Sequence, residues 1–156
     1  MRHQPTLVRD LMTRRIHTVG VSTPIEHALE VLTRHRISSV PVLGKRGELV
    51  GVLSERDGLS VVFDTTYDDR PSGTVAEYMR AAVHTLHEDA TLNHAAKRLR
   101  SDYRSLPVVD QDGRLVGILS RHDVLRAYMA LVAARRRERL KRRENSPPHG
   151  RTGLGL

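Results

Sequence analysis

The sequence predicts an α/β (α+β) fold of two β-α-β-β-α repeats sharing one globule, on three observations. LVGVLSERDGL at residues 49–59 returns as LVGILSRHDVL at residues 115–125, identical at seven of eleven positions. The elements around these segments recur in the same order, offset by 67 residues early in each copy and 66 later. Such a fixed internal period marks a repeated supersecondary unit. Each copy also alternates a helical apolar period with short β-branched runs, the pattern of mixed helix and strand.

Each copy opens with a short helical turn, residues 8–12 and 75–79. Thr6 and Thr74 are placed to cap it, and Thr74-x-x-Glu77 has capping-box form. A brief strand follows at 16–19 and 83–86. An amphipathic helix comes next, with Ile25, Ala28, Leu29 and Leu32 at i, i+3, i+4, i+7 and Leu92, Ala95, Ala96 and Leu99 repeating the stripe. Thr23-Pro24-Ile25-Glu26 supplies an N-cap, a proline at N1 and a glutamate at N3, and Asp89 is the expected cap in the second copy. Strands 40–43 and 49–53, then 106–109 and 115–119, form hairpins whose turns end in Gly47 and Gly113, residues able to take a positive φ. A final helix opens at Ser54 or Ser120. The first is expected to end near Phe63, and the second to run on toward the arginine-rich segment.

These spans divide the chain into repeat 1 (6–63), a polar linker (64–73), repeat 2 (74–134) and a basic extension and tail (135–156). A unit of roughly 55 residues is marginal for burying its own core. The strand 49–53 is apolar on both faces, so each face needs cover. The other repeat is the expected cover, and an approximate internal two-fold follows.

Composition excludes several function classes. The 156 residues contain no cysteine, which removes disulfides, thiolate metal sites and cysteine nucleophiles. No apolar run approaches the roughly 18 residues of a membrane span, and no apolar leader opens the chain. A cytoplasmic location is the expectation. The net charge of +8 is concentrated at residues 135–144, which hold seven bases and two acids, leaving the body nearly neutral.

Gly-h-Leu-Ser-x-x-Asp (h apolar) closes each unit. With the element order, the period near 66, the Asp10-Leu11-Met12 and Glu77-Tyr78-Met79 openings, and the Val-Pro-Val and Leu-Pro-Val strands, it resembles the CBS domain, named for cystathionine β-synthase. The resemblance covers about residues 6–133. It implies a tandem pair, or Bateman module, that often dimerises into a flat disk and has no catalytic activity. The clefts between paired units would bind AMP, ADP, ATP, S-adenosylmethionine or a dinucleotide such as NAD as regulatory ligands, with no obligatory cofactor and with an unidentified protein effector downstream. The matching residues are Ser54 with Asp57 and Ser120 with Asp123, the aspartates holding ribose hydroxyls and the serines assisting at ribose or phosphate.

The residue chemistry agrees. A carboxylate has two acceptor oxygens for the two donors of a ribose diol, and charge-assisted bonds are the stronger ones. The first turn of a helix favours a phosphate through its free N–H groups and dipole. Arg56 on one side, and Arg121 with His122 on the other, are candidate phosphate contacts, with solvated surface as an equal alternative. Ile16, Val83 and the hairpin strands at Pro41 and Pro107 are the expected adenine sandwich, and main chain near Thr18 and Thr85 the expected reader of its edge. Because Glu55-Arg56 becomes Arg121-His122, the second site is expected to prefer more phosphate charge and to respond more to pH.

Blander readings accompany these. Ser-x-x-Asp is also a capping-box variant worth about 1 kcal/mol, and Met12 and Met79 read as core fillers. His17/His84 and His27/His94 recur, but no H-E-x-x-H or H-x-H spacing supports a metal site. The basic segment has the charge to bind nucleic acid or anionic lipid, which makes nucleic-acid binding the alternative function. Cations also suit a helix C-terminus, and with few aromatics to stack bases the solvated helix end is preferred. Residues 145–156, rich in Pro and Gly, are expected to be disordered. No Walker loop, GxGxxG or nucleophile–base set is present.

Overall fold

In the computed structural model, residues 6–67 and 73–144 are described. The described residues fall into two compact units, one ending at Val124 and the other beginning at Leu125. The first contains both repeats' sheets.

Copy 1 comprises α1 (Val8–Leu11), β1 (Val19–Gly20), α2 (Ile25–His35), β2 (Ser39–Leu43), β3 (Leu49–Ser54) and α3 (Glu55–Tyr67). Copy 2 repeats them as α4 (Val75–Tyr78), β4 (Leu86–His87), α5 (Leu92–Leu99), β5 (Ser105–Val109), β6 (Leu115–Ser120) and α6 (Arg121–Glu144). Each copy folds into a three-stranded sheet, ordered β1-β2-β3 or β4-β5-β6, with the first pair parallel and the second antiparallel. The hairpins turn through Gly47 and Gly113 at φ of 79° and 75°, a region that penalises a side chain.

The opening helices are exchanged between the copies. Val8 and Met12 of copy 1 sit in the core of copy 2, with Leu86, Leu106 and Leu119, while Val75 of copy 2 sits in the core of copy 1, with Ile25, Val40 and Leu53. Both valines are fully buried. Main-chain bonds fix the exchange. The N–H of Val8 donates to Ala90 O (2.8 Å), and that of Val75 to Thr23 O (2.9 Å). Past each helix the chain pairs with the other copy's edge strand, Thr13 with Ile118 and Arg80 with Val52, at 2.9–3.0 Å. An edge strand's open groups are thereby satisfied at that point. The close approach needs glycine: a Cβ on Gly51 would lie 2.6 Å from Met79 Sδ, and one on Gly117 would collide with Met12.

Several local expectations are corrected. The first strands are shorter and later than expected, because only Val19–Gly20 and Leu86–His87 reach hydrogen-bonding register with β2 and β5. Leu7, not Thr6, precedes α1, its N–H bonded to Asp10 Oδ2 at 3.1 Å. Thr23 accepts from Gly20 N at 3.1 Å to close a turn, and Pro24 stands at the N-cap of α2. Thr91 caps α5, accepting from His94 N at 3.3 Å, while Asp89 pairs with Arg9 at 2.6 Å. Helix α3 runs through Tyr67, four positions into the span read as linker, and residues 68–72 lie outside the described set. Residues 145–156, expected to be disordered, also lie outside it.

Candidate functional site

The Ser-x-x-Asp of each copy lies at the junction of the last strand and the last helix, and there it forms a reciprocal cap. Ser54 N–H and Oγ–H both donate to Asp57 Oδ2 (2.8 and 2.7 Å), and Asp57 N–H returns to Ser54 Oγ (3.4 Å). Ser120 and Asp123 repeat this at 2.9, 2.7 and 3.2 Å. Capping and cleft-lining are therefore not exclusive. One carboxylate oxygen pins the helix start, which orients the side chain, and the aspartate still lines a cleft. The Asp57 side chain is 12% exposed and Asp123 is 8% exposed overall.

The clefts form between copies. Cleft 1, of about 500 Å³, is lined by Ser54, Arg56 and Asp57 from copy 1 and by Val83, His84 and Pro107 from copy 2. Cleft 2, of about 520 Å³, is lined by Ser120, Arg121, His122 and Asp123 from copy 2 and by Ile16 and His17 from copy 1. The exchange explains this pairing, since the chain leaving α1 passes along β6 and the chain leaving α4 passes along β3. Ser39 and Ser105, equivalent in the repeat, line both clefts and hydrogen-bond to each other at 2.6 Å.

Three expected residues do not line either cleft. Thr18 and Thr85 each immediately precede the short parallel strand, and cleft 2 stops at Ser39, two residues short of Pro41. Arg121 lines cleft 2, but its guanidinium is committed elsewhere. Nε donates to Leu99 O (2.8 Å) and Tyr103 O (3.0 Å), and a terminal nitrogen donates to Ser101 O. It ties off the carbonyls at and beyond the end of α5, a role outside the two equal alternatives of phosphate contact and solvated surface.

Residues passed over in the sequence reading carry much of the electrostatics. Arg80, whose counterpart is Thr13, sets its Nε 3.4 Å from Asp57 Oδ1. Arg104 lines both clefts and lies 3.7 Å from Glu55 Oε2. In cleft 1, Arg56, Arg80 and Arg104 face Glu55, Asp57 and Asp102, a formal balance of zero. In cleft 2, with the Arg104 charge counted in cleft 1, Arg15, Arg36 and Arg121 face only Asp123 among the lining carboxylates, a formal +2. The position of Arg80 offered no motif, and Arg104 is legible only once the two clefts are seen to meet beside Ser105.

Sequence comparison matches the family model "CBS domain" to residues 8–64 and 75–130, both copies in turn. The chain belongs to the CBS-domain family. As a CBS pair it is similar to CBSX1, a chloroplastic CBS domain-containing protein of Arabidopsis thaliana, at 32% identity over 80% of this chain and 64% of that one. It also resembles the L-aspartate semialdehyde sulfurtransferase of Methanocaldococcus jannaschii at 30% identity, but over 82% of this chain and 24% of that protein. The CBS pair thus spans less than two-thirds of the length of either relative. Among solved structures, CBSX2 of A. thaliana in complex with AMP superposes with a TM-score of 0.72 at 34% identity, covering 81% of this chain and 98% of that one. The CBS domain pair of protein MJ0100 in complex with 5′-methylthioadenosine and S-adenosyl-L-methionine gives 0.70 at 28% identity, covering 81% and 98%. These matches carry the α/β Bateman architecture over to this CBS pair.

Among the described residues no helix is long and apolar enough to cross a membrane, and no three His, Asp or Glu are grouped to hold a metal ion. The bases from Arg135 to Arg143 lie on an exposed helix, an arrangement that also suits the favourable placement of cations at a helix C-terminus.

Proposed function

We propose that this CBS pair is a non-catalytic, cytoplasmic sensor whose two clefts each hold one adenosine-containing ligand and whose occupancy passes to a protein effector through conformational or oligomeric change. The observation that carries this is the placement of Asp57 and Asp123. Each is oriented by its own serine and lines a cleft opposite an apolar residue of the other copy, Val83 or Ile16. That is a ribose acceptor facing a surface on which an adenine can lie. Neighbours solved with AMP, or with 5′-methylthioadenosine and S-adenosyl-L-methionine, support the ligand class. The basic stretch from Arg135 to Arg143 remains the ground for the nucleic-acid alternative.

The charge difference supports a preference of each cleft. Cleft 2, at a formal +2, suits a di- or triphosphate, whereas cleft 1, with balanced charge, suits AMP or a sulfonium such as S-adenosylmethionine. Arg15 and Arg36 replace Arg121 as the reason. Thermal-shift titration tests both points. Ligand at about 100 times its Kd adds about 2.7 kcal/mol, several degrees in Tm. With cleft 1 disabled by Asp57→Ala, ATP should shift Tm more than AMP does, and by less as salt rises. An unmoved Tm with AMP, ATP, S-adenosylmethionine and NAD alike would remove the sensor reading.

Helix α3 exposes Leu59, Val62 and Phe63, and α6 exposes Leu125, Tyr128 and Met129 at the equivalent positions. Exposed apolar faces of this kind mark interaction surfaces, and a second copy, bringing the same matched faces, is the occupant assigned to them. The chain should elute as a dimer by light scattering, and Leu59→Glu with Leu125→Glu should make it a monomer. A wild-type chain that stays monomeric at high micromolar concentration would exclude the dimer.

A further inference from the structure

Four residues line both clefts, Ser38, Ser39, Ser105 and Arg104, and of these Arg104 alone carries charge. Its backbone belongs to cleft 2, where its carbonyl accepts the N–H of Arg121, the first residue of α6, at 2.9 Å. Its side chain belongs to cleft 1, where Nη1 lies 3.7 Å from Glu55 Oε2 at the first residue of α3. One residue therefore touches the helix start of each cleft. The repeat supplies no second copy of it. The equivalent position is Ser38, whose carbonyl makes the matching bond to Glu55 N–H at 3.0 Å but whose hydroxyl carries no charge.

The resting pair with Glu55 is exposed on both sides, 74% and 59%. Exposed pairs of this length are held weakly, so the guanidinium can be re-aimed by a stronger anion. A phosphate at the start of α3 would meet Glu55 and draw Arg104 fully into cleft 1. A phosphate at the start of α6 would draw it the other way, leaving Glu55 unneutralised. The formal balance of cleft 1 falls from zero to −1 when Arg104 is withdrawn.

We infer that Arg104 is a shared cation that couples the two clefts negatively for phosphate-bearing ligands. This rests on the ligand-binding reading of the same clefts and adds a regulatory step to it. Binding at either cleft lowers phosphate affinity at the other, and linkage requires the two effects to be equal. The coupling acts through the phosphate, so an uncharged nucleoside does not elicit it.

Calorimetric titration of the full chain with AMP, and separately with adenosine, tests this. Single-cleft Kd values come from Asp57→Ala (cleft 2) and Asp123→Ala (cleft 1), and the two stepwise constants come from the intact chain. With AMP, the second step should be about five-fold weaker than the single-cleft value predicts, the lower end of ordinary coupling between sites. Arg104→Ser, which installs the residue of the equivalent position, should bring that factor to about one. Arg104→Lys should retain part of it, and adenosine should give about one throughout. Stepwise constants equal to the single-cleft values, enhanced second binding, or a penalty that survives Arg104→Ser would each overturn the coupling while leaving two adenosyl sites standing. Failure of AMP and adenosine to bind at all would defeat the sensor reading itself and the coupling with it.

Discussion

Val8→Asp should unfold the sheet of copy 2, although Val8 stands in copy 1. Its side chain is fully buried among Leu86, Leu106 and Leu119, and an unpaired carboxylate there has neither water nor a partner. Penalties of this kind reach several kcal/mol, against a typical domain stability of 5–15 kcal/mol. Native-state hydrogen exchange reads the location. Val8→Asp should strip protection first from β5 and β6, and Val75→Asp first from β2 and β3. The milder Val8→Ala and Val75→Ala should each cost about 2 kcal/mol from two lost methyl groups and the space they leave. Protection lost first in the sheet of the mutated copy would contradict the exchanged arrangement.

The second large effect lies at the clefts. Asp57→Ala removes the acceptor for two ribose hydroxyls, and hydrogen bonds to a charged group are worth about 1.5–3 kcal/mol each. Affinity at cleft 1 should fall more than about a hundredfold, since about 1.4 kcal/mol is a factor of ten. Cleft 2 should keep its affinity for adenosine. Asp123→Ala should do the reverse. Both variants also lose the carboxylate end of the Ser-x-x-Asp cap, so each should lose about 1 kcal/mol of stability. That loss is too small to unfold the domain and is measurable by urea denaturation. A variant that lost the 1 kcal/mol and kept its ligand would reduce the motif to a cap.

Much of the fold was legible because the signals were local and doubled. Gly47 and Gly113 announce hairpin turns, the Ile25 and Leu92 stripes announce helices, and the two-faced apolar strand at 49–53 announces cover on both sides. The exchange was not legible. A four-residue helix with one buried valine fits either core equally well when the cores derive from the same repeat. Only the main-chain bonds from Val8 to Ala90 and from Val75 to Thr23 decide between them. Capping roles slipped by one or two residues because Thr23 and Asp89 found turn and ion-pair partners that a linear motif does not display.

At the site, Ser54, Asp57, Ser120 and Asp123 were legible from the duplication, and their placement on two cleft walls followed from the fold. The charge was only partly legible. Arg121 offered phosphate contact and solvated surface equally by position, whereas its guanidinium bonds the carbonyls at and beyond the end of α5. Arg15, Arg36, Arg80 and Arg104 belong to no motif and enter the clefts only through the packing of one copy on the other. The proposal that the clefts bind unequally rests on these residues, on different grounds from those the sequence offered.

The central claim is that each chain offers two adenosyl sites, one per Ser-x-x-Asp. Crystals of the full chain grown with AMP test it most directly. Two nucleotides per chain are expected, with Asp57 and Asp123 each accepting from the ribose hydroxyls of one of them. Clefts left empty at saturating AMP, or nucleotide bound away from both aspartates, would contradict it.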